Sequence, residues 1–216
     1  KFIDIIQSIS IFAIKINFNK MKRILTLVFA CLFATQIIAQ EKNINAFISY
    51  GTFNIIGEES TPYLETYITF DCNSLVYVKN ADQYQAAINL TVIFKQGESI
   101  KNYDKYSVNS PKVNDTTNLS GFFMDVQRYS LANGEYQMEI TIEDANNKNE
   151  NPLKVSETIV IDYPENICFS SIIALEDYRP ATEVTANTKN GYDIIPMIMP
   201  YYPESINRLT FYAEIY

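Results

Sequence analysis

Apolar and polar residues alternate with period 2 through positions 42–163, and no long segment shows helical period. Within 135–143, Tyr136, Met138, Ile140 and Ile142 fall on one face and Glu135, Gln137, Glu139, Thr141 and Glu143 on the other. Within 86–94, Ile88, Leu90, Val92 and Phe94 share a face, opposite Asn89 and Thr91. Leu64, Ile68 and Phe70 do the same in 63–70, as do Val155, Ile159 and Ile161 further on. Further strands are predicted at 44–53, 75–79, 99–108 and 119–127. Breakers at 57–62, 80–82, 96–97, 110–111, 133–134 and 144–152 separate them. Half-polar strands of this kind suit antiparallel sheets with one wet face. About eight of them in 41–163 make one β-sandwich domain.

Leu131-Ala132-Asn133-Gly134-Glu135-Tyr136 is the most informative local pattern. A turn that feeds a strand through Gly-x-Tyr resembles the tyrosine corner of immunoglobulin-like sandwiches, in which the Tyr hydroxyl ties the incoming loop to the strand. Gly134 and Tyr136 are therefore assigned structural roles. The expected fold is mainly β: an immunoglobulin/fibronectin-like antiparallel β-sandwich followed by a partial second β unit. Tyr163-Pro164-Glu165-Asn166 reads as a linker. Strands are predicted at 167–175 and 208–216, around a polar, poorly periodic stretch at 176–196. Two strands cannot bury a sandwich core. Residues 164–216 thus either begin a second, truncated domain or pack onto the first.

The N-terminal region reads as an export signal. Met21 is followed by Lys22 and Arg23, an apolar run at 24–33 broken only by Thr26, and a more polar stretch ending in Ala39-Gln40. Cleavage after the small Ala39 gives a mature chain starting at Gln40 or Glu41. The apolar segment at 24–39 is short against the roughly 20 residues of a membrane span. Residues 21–40 are assigned as signal peptide and 1–20 as translation upstream of the true start. Membrane attachment is expected only through an uncleaved signal segment or a lipid anchor at Cys31, which follows Ala30 but has the bulky Phe29 before it.

Charge and composition then narrow the function. The chain of 216 residues carries 17 basic and 25 acidic side chains, with no His and no Trp. Positions 1–40 hold five of the bases and one of the acids, which leaves 12 and 24, a net charge of −12. Such a chain repels nucleic acid and anionic membrane surfaces. Without His, Ser-His-Asp and Cys-His catalysis and His-ligated metal sites are excluded. Cys72 and Cys168 are expected to be two unbridged thiols, although export would permit a disulfide.

Several segments could carry chemistry, and each has a plainer reading. The oxygen-rich Asp144-Ala145-Asn146-Asn147-Lys148-Asn149-Glu150 lacks the Gly and spacing of a Ca²⁺ loop and reads as a turn. Glu58, Glu59 and Glu65 could pair as hydrolytic carboxylates but read as solvated surface charge. Tyr201 and Tyr202, between Pro200 and Pro203, could stack on a glycan or peptide. Asp115-Thr116-Thr117 resembles a periplasmic O-glycosylation site of Bacteroidetes, with Thr116 as acceptor. No catalytic residue, cofactor site or metal site is assigned.

A family resemblance draws these strands together. Ala46-Phe47-Ile48-Ser49-Tyr50-Gly51-Thr52-Phe53 is followed by Pro62-Tyr63-Leu64-Glu65-Thr66-Tyr67, Asp104-Lys105-Tyr106, Asp125-Val126-Gln127-Arg128, and Leu131-x-x-Gly134-x-Tyr136 running into Ile142-Glu143-Asp144. The order ends in Leu209-x-Phe211-Tyr212-Ala213-Glu214-Ile215-Tyr216. Over roughly 41–216 this order resembles the N-terminal region of exported Bacteroidetes proteins named for a C-terminal Gly-Trp-x-Thr-Asp (GWxTD) motif, a motif that this chain lacks. The resemblance implies export in a Gram-negative bacterium and tandem sandwich modules. The expected function is a non-catalytic interaction or scaffolding module in the periplasm or on the cell surface, with an envelope protein or glycan as partner. The alternative is an accessory domain of a larger envelope enzyme acting on glycans or peptides, whose active site lies beyond Tyr216.

Overall fold

The computed structural model describes residues 43–57, 60–148, 151–164, 166–198, 202 and 207–216. The signal segment, Cys31, Glu58, Glu59 and Tyr201 lie outside these residues. The fold is mainly β, with antiparallel pairing throughout its described ladders.

The first sheet has the order β1-β2-β7, with β1 (Ala46–Ile55), β2 (Thr61–Asp71) and β7 (Phe122–Ser130). The second has the order β6-β5-β8-β9, with β5 (Ala87–Gln96), β6 (Ser99–Asn109), β8 (Gly134–Asp144) and β9 (Leu153–Ile161). Between β2 and β5 lies a short hairpin of β3 (Val78–Asn80) and β4 (Gln83–Gln85), turned at Ala81 with φ +54°. The two large sheets share one core. β2 gives Leu64, Ile68 and Phe70, β5 gives Ile88, Leu90, Val92 and Phe94, and β8 gives Tyr136, Met138, Ile140 and Ile142. These are the rows that alternation assigns to the interior, because every second side chain of a strand points to one face.

The remaining strands form a third sheet in the order β11-β12-β10-β13. Its members are β10 (Ile173–Pro180), β11 (Thr188–Lys189), β12 (Tyr192–Pro196) and β13 (Thr210–Tyr212). It packs on the outer face of the first sheet. Ile173, Leu175 and Ile194 join Phe53 and Tyr67 in a second core, with Tyr63, Met124, Val126 and Tyr212 at its margin. The described residues thus form three β layers, and the described part of 164–216 packs onto the strands before it.

This third layer corrects several expectations. The outer face of β2 is dry: Glu65 and Tyr67 are as deeply buried as Leu64 and Ile68. Tyr163, read as linker, is buried in the main core, and its backbone N–H and C=O are both bonded to the Asn133 side chain. The polar stretch 176–196 contains the end of β10 and all of β11 and β12, because the outward side of their sheet faces solvent. The strand expected at 75–79 is only the start of the small hairpin. The one expected at 119–127 begins at Phe122, after Gly121, whose φ of +87° breaks the extended run. Regular pairing in the last segment is confined to β13, followed by a single bridge between Ile215 and Phe169.

Candidate functional site

Charge is concentrated where the third sheet meets the first. In the β1–β2–β7 register, Glu65 lies between Gly51 and Arg128. Glu65 and Arg128 point outward, toward the third sheet. Gly51 has no side chain, and Ile173 of β10 occupies the space: a Cβ on Gly51 would lie 2.5 Å from Ile173 Cδ1. On the other side Arg128 Nε donates to Glu65 Oε2, and Arg128 Nη2 donates to the Ala186 carbonyl at 2.8 Å.

Lys189 completes the cluster from the third sheet. Asn190 and Gly191 both have positive φ, +49° and +83°, and form the two-residue turn between β11 and β12. This turn places Lys189 against the first sheet. Its ammonium lies 2.9 Å from Glu65 Oε2 and donates to the Tyr63 hydroxyl at 3.1 Å. It also sits 3.9 Å from the centroid of the Phe53 ring. Tyr67 donates its hydroxyl to Glu65 Oε1. Burial lowers the Lys189 pKa, and the Glu65 charge opposes that shift. Burial, and then the same carboxylate, raise the Tyr67 pKa. Both oxygens of Glu65 are therefore engaged by donors, and the carboxylate is a joint between sheets rather than an accessible base. The reading of Glu65 as solvated surface charge is overturned: its exposure is 0%.

Beside this joint is a cleft of about 380 Å³ lined by β10, the β11–β12 hairpin and β13 of the third sheet. Leu175 and Ile194 are its buried members, and Lys189 also lines it. Tyr178 and Tyr192, each about half exposed, meet edge to face at 5.9 Å, and Asn190 and Thr210 add polar groups. The cleft can offer ring faces together with hydrogen-bonding groups to a bound chain or sugar.

The residues singled out in the sequence are placed as follows. Tyr136 is buried and donates its hydroxyl to the Ala132 carbonyl, four residues upstream, at 2.9 Å. Gly134 has φ +154°, and a Cβ there would come within 2.6 Å of the Gln96 side-chain amide. Asp144 is buried and accepts from the backbone N–H of Val76 at 2.7 Å and of Asn146 at 2.8 Å, so its carboxylate fastens the turn to the loop before β3. Among the described residues, no group of three His, Cys, Asp or Glu side chains is placed to hold a metal ion. Thr116 lies in an exposed loop, where Asp115 accepts from both the backbone and the hydroxyl of Thr117. Those bonds hold the Asp115 pKa below its ordinary value. Tyr202 is exposed. Cys72 and Cys168 are both free thiols. Among the described residues, no helix is long and apolar enough to cross a membrane.

Sequence reasoning misses Lys189, Tyr178 and Tyr192. The usable signal is Asn190-Gly191, a pair that favours a tight hairpin because both residues tolerate positive φ. No protein-family model, curated protein or solved structure matches the chain.

Proposed function

We propose that this protein is an exported, non-catalytic module of the immunoglobulin/fibronectin-like kind that mediates interaction or scaffolding in the envelope of a Gram-negative bacterium. The observation that carries this reading is how its interior charges are used. Among the described residues the buried charged side chains are Glu65, Asp144 and Lys189, and each is bonded to other parts of the chain. They hold layers and loops together. The aromatic cleft beside Tyr178 and Tyr192 is the proposed contact surface for a glycan or an envelope protein, a role the sequence alone suggested for Tyr201 and Tyr202. Export and kinship to the GWxTD proteins rest on the 21–40 signal pattern and on the order of motifs from Ala46 to Tyr216.

Cell fractionation with intact-mass measurement tests the export reading. A species starting at Gln40 or Glu41 in the periplasmic or surface fraction is expected, and a cytoplasmic species starting at Lys1 overturns it. For the contact surface, glycan-array and envelope-extract binding should fall when Tyr178 and Tyr192 are both changed to Ala. Unchanged binding by that variant moves the function elsewhere on the molecule.

A further inference from the structure

The outer edge of the third sheet lacks the protection that the β6 and β9 edges carry. β13 pairs with β10 through Leu175–Thr210, Ala174–Phe211 and Ile173–Tyr212. The chain stays paired on the same side beyond the strand: Ser170 donates to the Glu214 carbonyl, and Cys168 and Tyr216 exchange backbone bonds. Residues 210–216 thus form a continuous extended edge. Its other side has no strand partner among the described residues.

Alternation along this edge is strict. Tyr212, Glu214 and Tyr216 turn inward, where Glu214 accepts from both tyrosine hydroxyls and Tyr216 accepts from the Asn54 N–H. Leu209, Phe211 and Ile215 turn outward and are 63%, 63% and 68% exposed, with Phe169 and Ile172 exposed beside them. Proteins normally protect an open edge with Lys, Pro or outward charge. The edge strands β6 and β9 follow that rule with Lys101, Lys105 and Lys154. Residues 209–216 contain no Lys and no Pro, and their one charge, Glu214, is turned inward and bonded.

The row is also self-complementary. In an antiparallel pair centred on Tyr212, each Phe211 lies opposite the small Ala213 of the other copy, and each Leu209 lies opposite Ile215. Large meets small, apolar meets apolar, and no like charges are brought together. We infer that this edge pairs with the same edge of a second copy of the chain, giving a two-fold dimer with one continuous sheet across the interface. The inference goes beyond the module reading; Thr210, Phe211 and Tyr212 also line the aromatic cleft, but the test reads association of copies and not ligand binding.

Sedimentation equilibrium on the purified protein tests it. A concentration-dependent dimer is expected. Phe211→Lys should shift it to a monomer that keeps the β-sheet circular dichroism of the unmodified protein and melts at a temperature independent of protein concentration. Val160→Lys, at an exposed position on the β9 edge, should remain dimeric. If Phe211→Lys fails to fold, the register can be tested by oxidation in a Cys168→Ser background. Mixing Phe211→Cys with Ala213→Cys should give mainly the mixed disulfide, because those positions face each other. A chain that stays monomeric up to its solubility limit overturns the proposal, even if it captures some unrelated strand. A folded Phe211→Lys that still dimerises, or disulfides mainly between identical variants, overturns it equally.

Discussion

Gly51 and Glu65 are direct neighbours across the β1–β2 ladder, and the missing side chain of the first admits the element that buries the second. Ile173 fills the space above Gly51, which brings β10, and with it the third sheet, down over the carboxylate. Gly51→Ala should therefore loosen this junction. The new Cβ would meet Ile173 Cδ1 at 2.5 Å, with Phe53 and Ser171 atoms at 3.2 and 3.3 Å. Overpacking of this kind costs about 1–3 kcal/mol. Chemical denaturation measures it, and adding Ile173→Val should recover part of the loss.

Lys189→Met keeps the apolar stem over Phe53 and removes the charge. One buried cation fewer beside Glu65 should cost about 3 kcal/mol, the lower end for breaking a buried pair, because Arg128 remains bound to the carboxylate. Limited proteolysis should then cut within 164–216 before it cuts the sandwich. If Lys189→Met resists protease as the unmodified protein does, the ion pair does not hold the third sheet.

Tyr136→Phe leaves the Ala132 carbonyl without its hydroxyl donor inside a packed corner. The expected loss is on the order of 1–3 kcal/mol. Glu135→Ala, on the solvent side of the same strand, should change stability by less than about 0.5 kcal/mol. Denaturant melts of the two variants give the comparison, and equal small effects would make this an ordinary turn.

Asp125 predicts a pH dependence. Its carboxylate accepts from the Tyr106 hydroxyl at 2.8 Å and from the Gln127 amide at 3.1 Å, which joins the edge strands of the two large sheets. Burial raises its pKa, the two hydrogen bonds oppose that shift, and the Asp104 charge adds to it. A carboxyl with a raised folded pKa binds its proton more readily when folded. Its stability penalty is full above that folded pKa and vanishes below the unfolded value of about 3.9. The protein should therefore gain stability relative to Asp125→Asn as the pH falls from ~7 to ~4. Urea melts of both proteins at the two pH values check the sign, and a difference that stays constant or runs the other way refutes it.

How legible each part was follows from where its partners lie. The rows Ile88 to Phe94 and Tyr136 to Ile142 are readable because each strand has one buried and one wet face, and alternation reports that directly. Residues 131–136 are readable because the Tyr136 bond is local. Glu65 is not: an acid in an alternating strand looks solvated until a distant segment covers it. Lys189 and the cleft tyrosines sit in a stretch whose outward face is polar and whose strands are short. Only Asn190-Gly191 betrays the hairpin there, and that pair says nothing about which surface the hairpin covers.

β1 has a consequence for the order of assembly. Its first contacts are with β2, the next strand along the chain, but its far edge is finished by the most distant segments. Ser171 donates to the Thr52 carbonyl and accepts from the Thr52 N–H, and Tyr216 accepts from the Asn54 N–H. A chain folding as it is made, N-terminus first, exposes that edge and the dry face of β2 until residues 171–216 are available. Closure over such sequence separations is slow, on the scale of milliseconds to seconds for β-rich domains. During that interval Phe53, Tyr63 and Tyr67 are unsheltered and form the apolar surface open to wrong contacts.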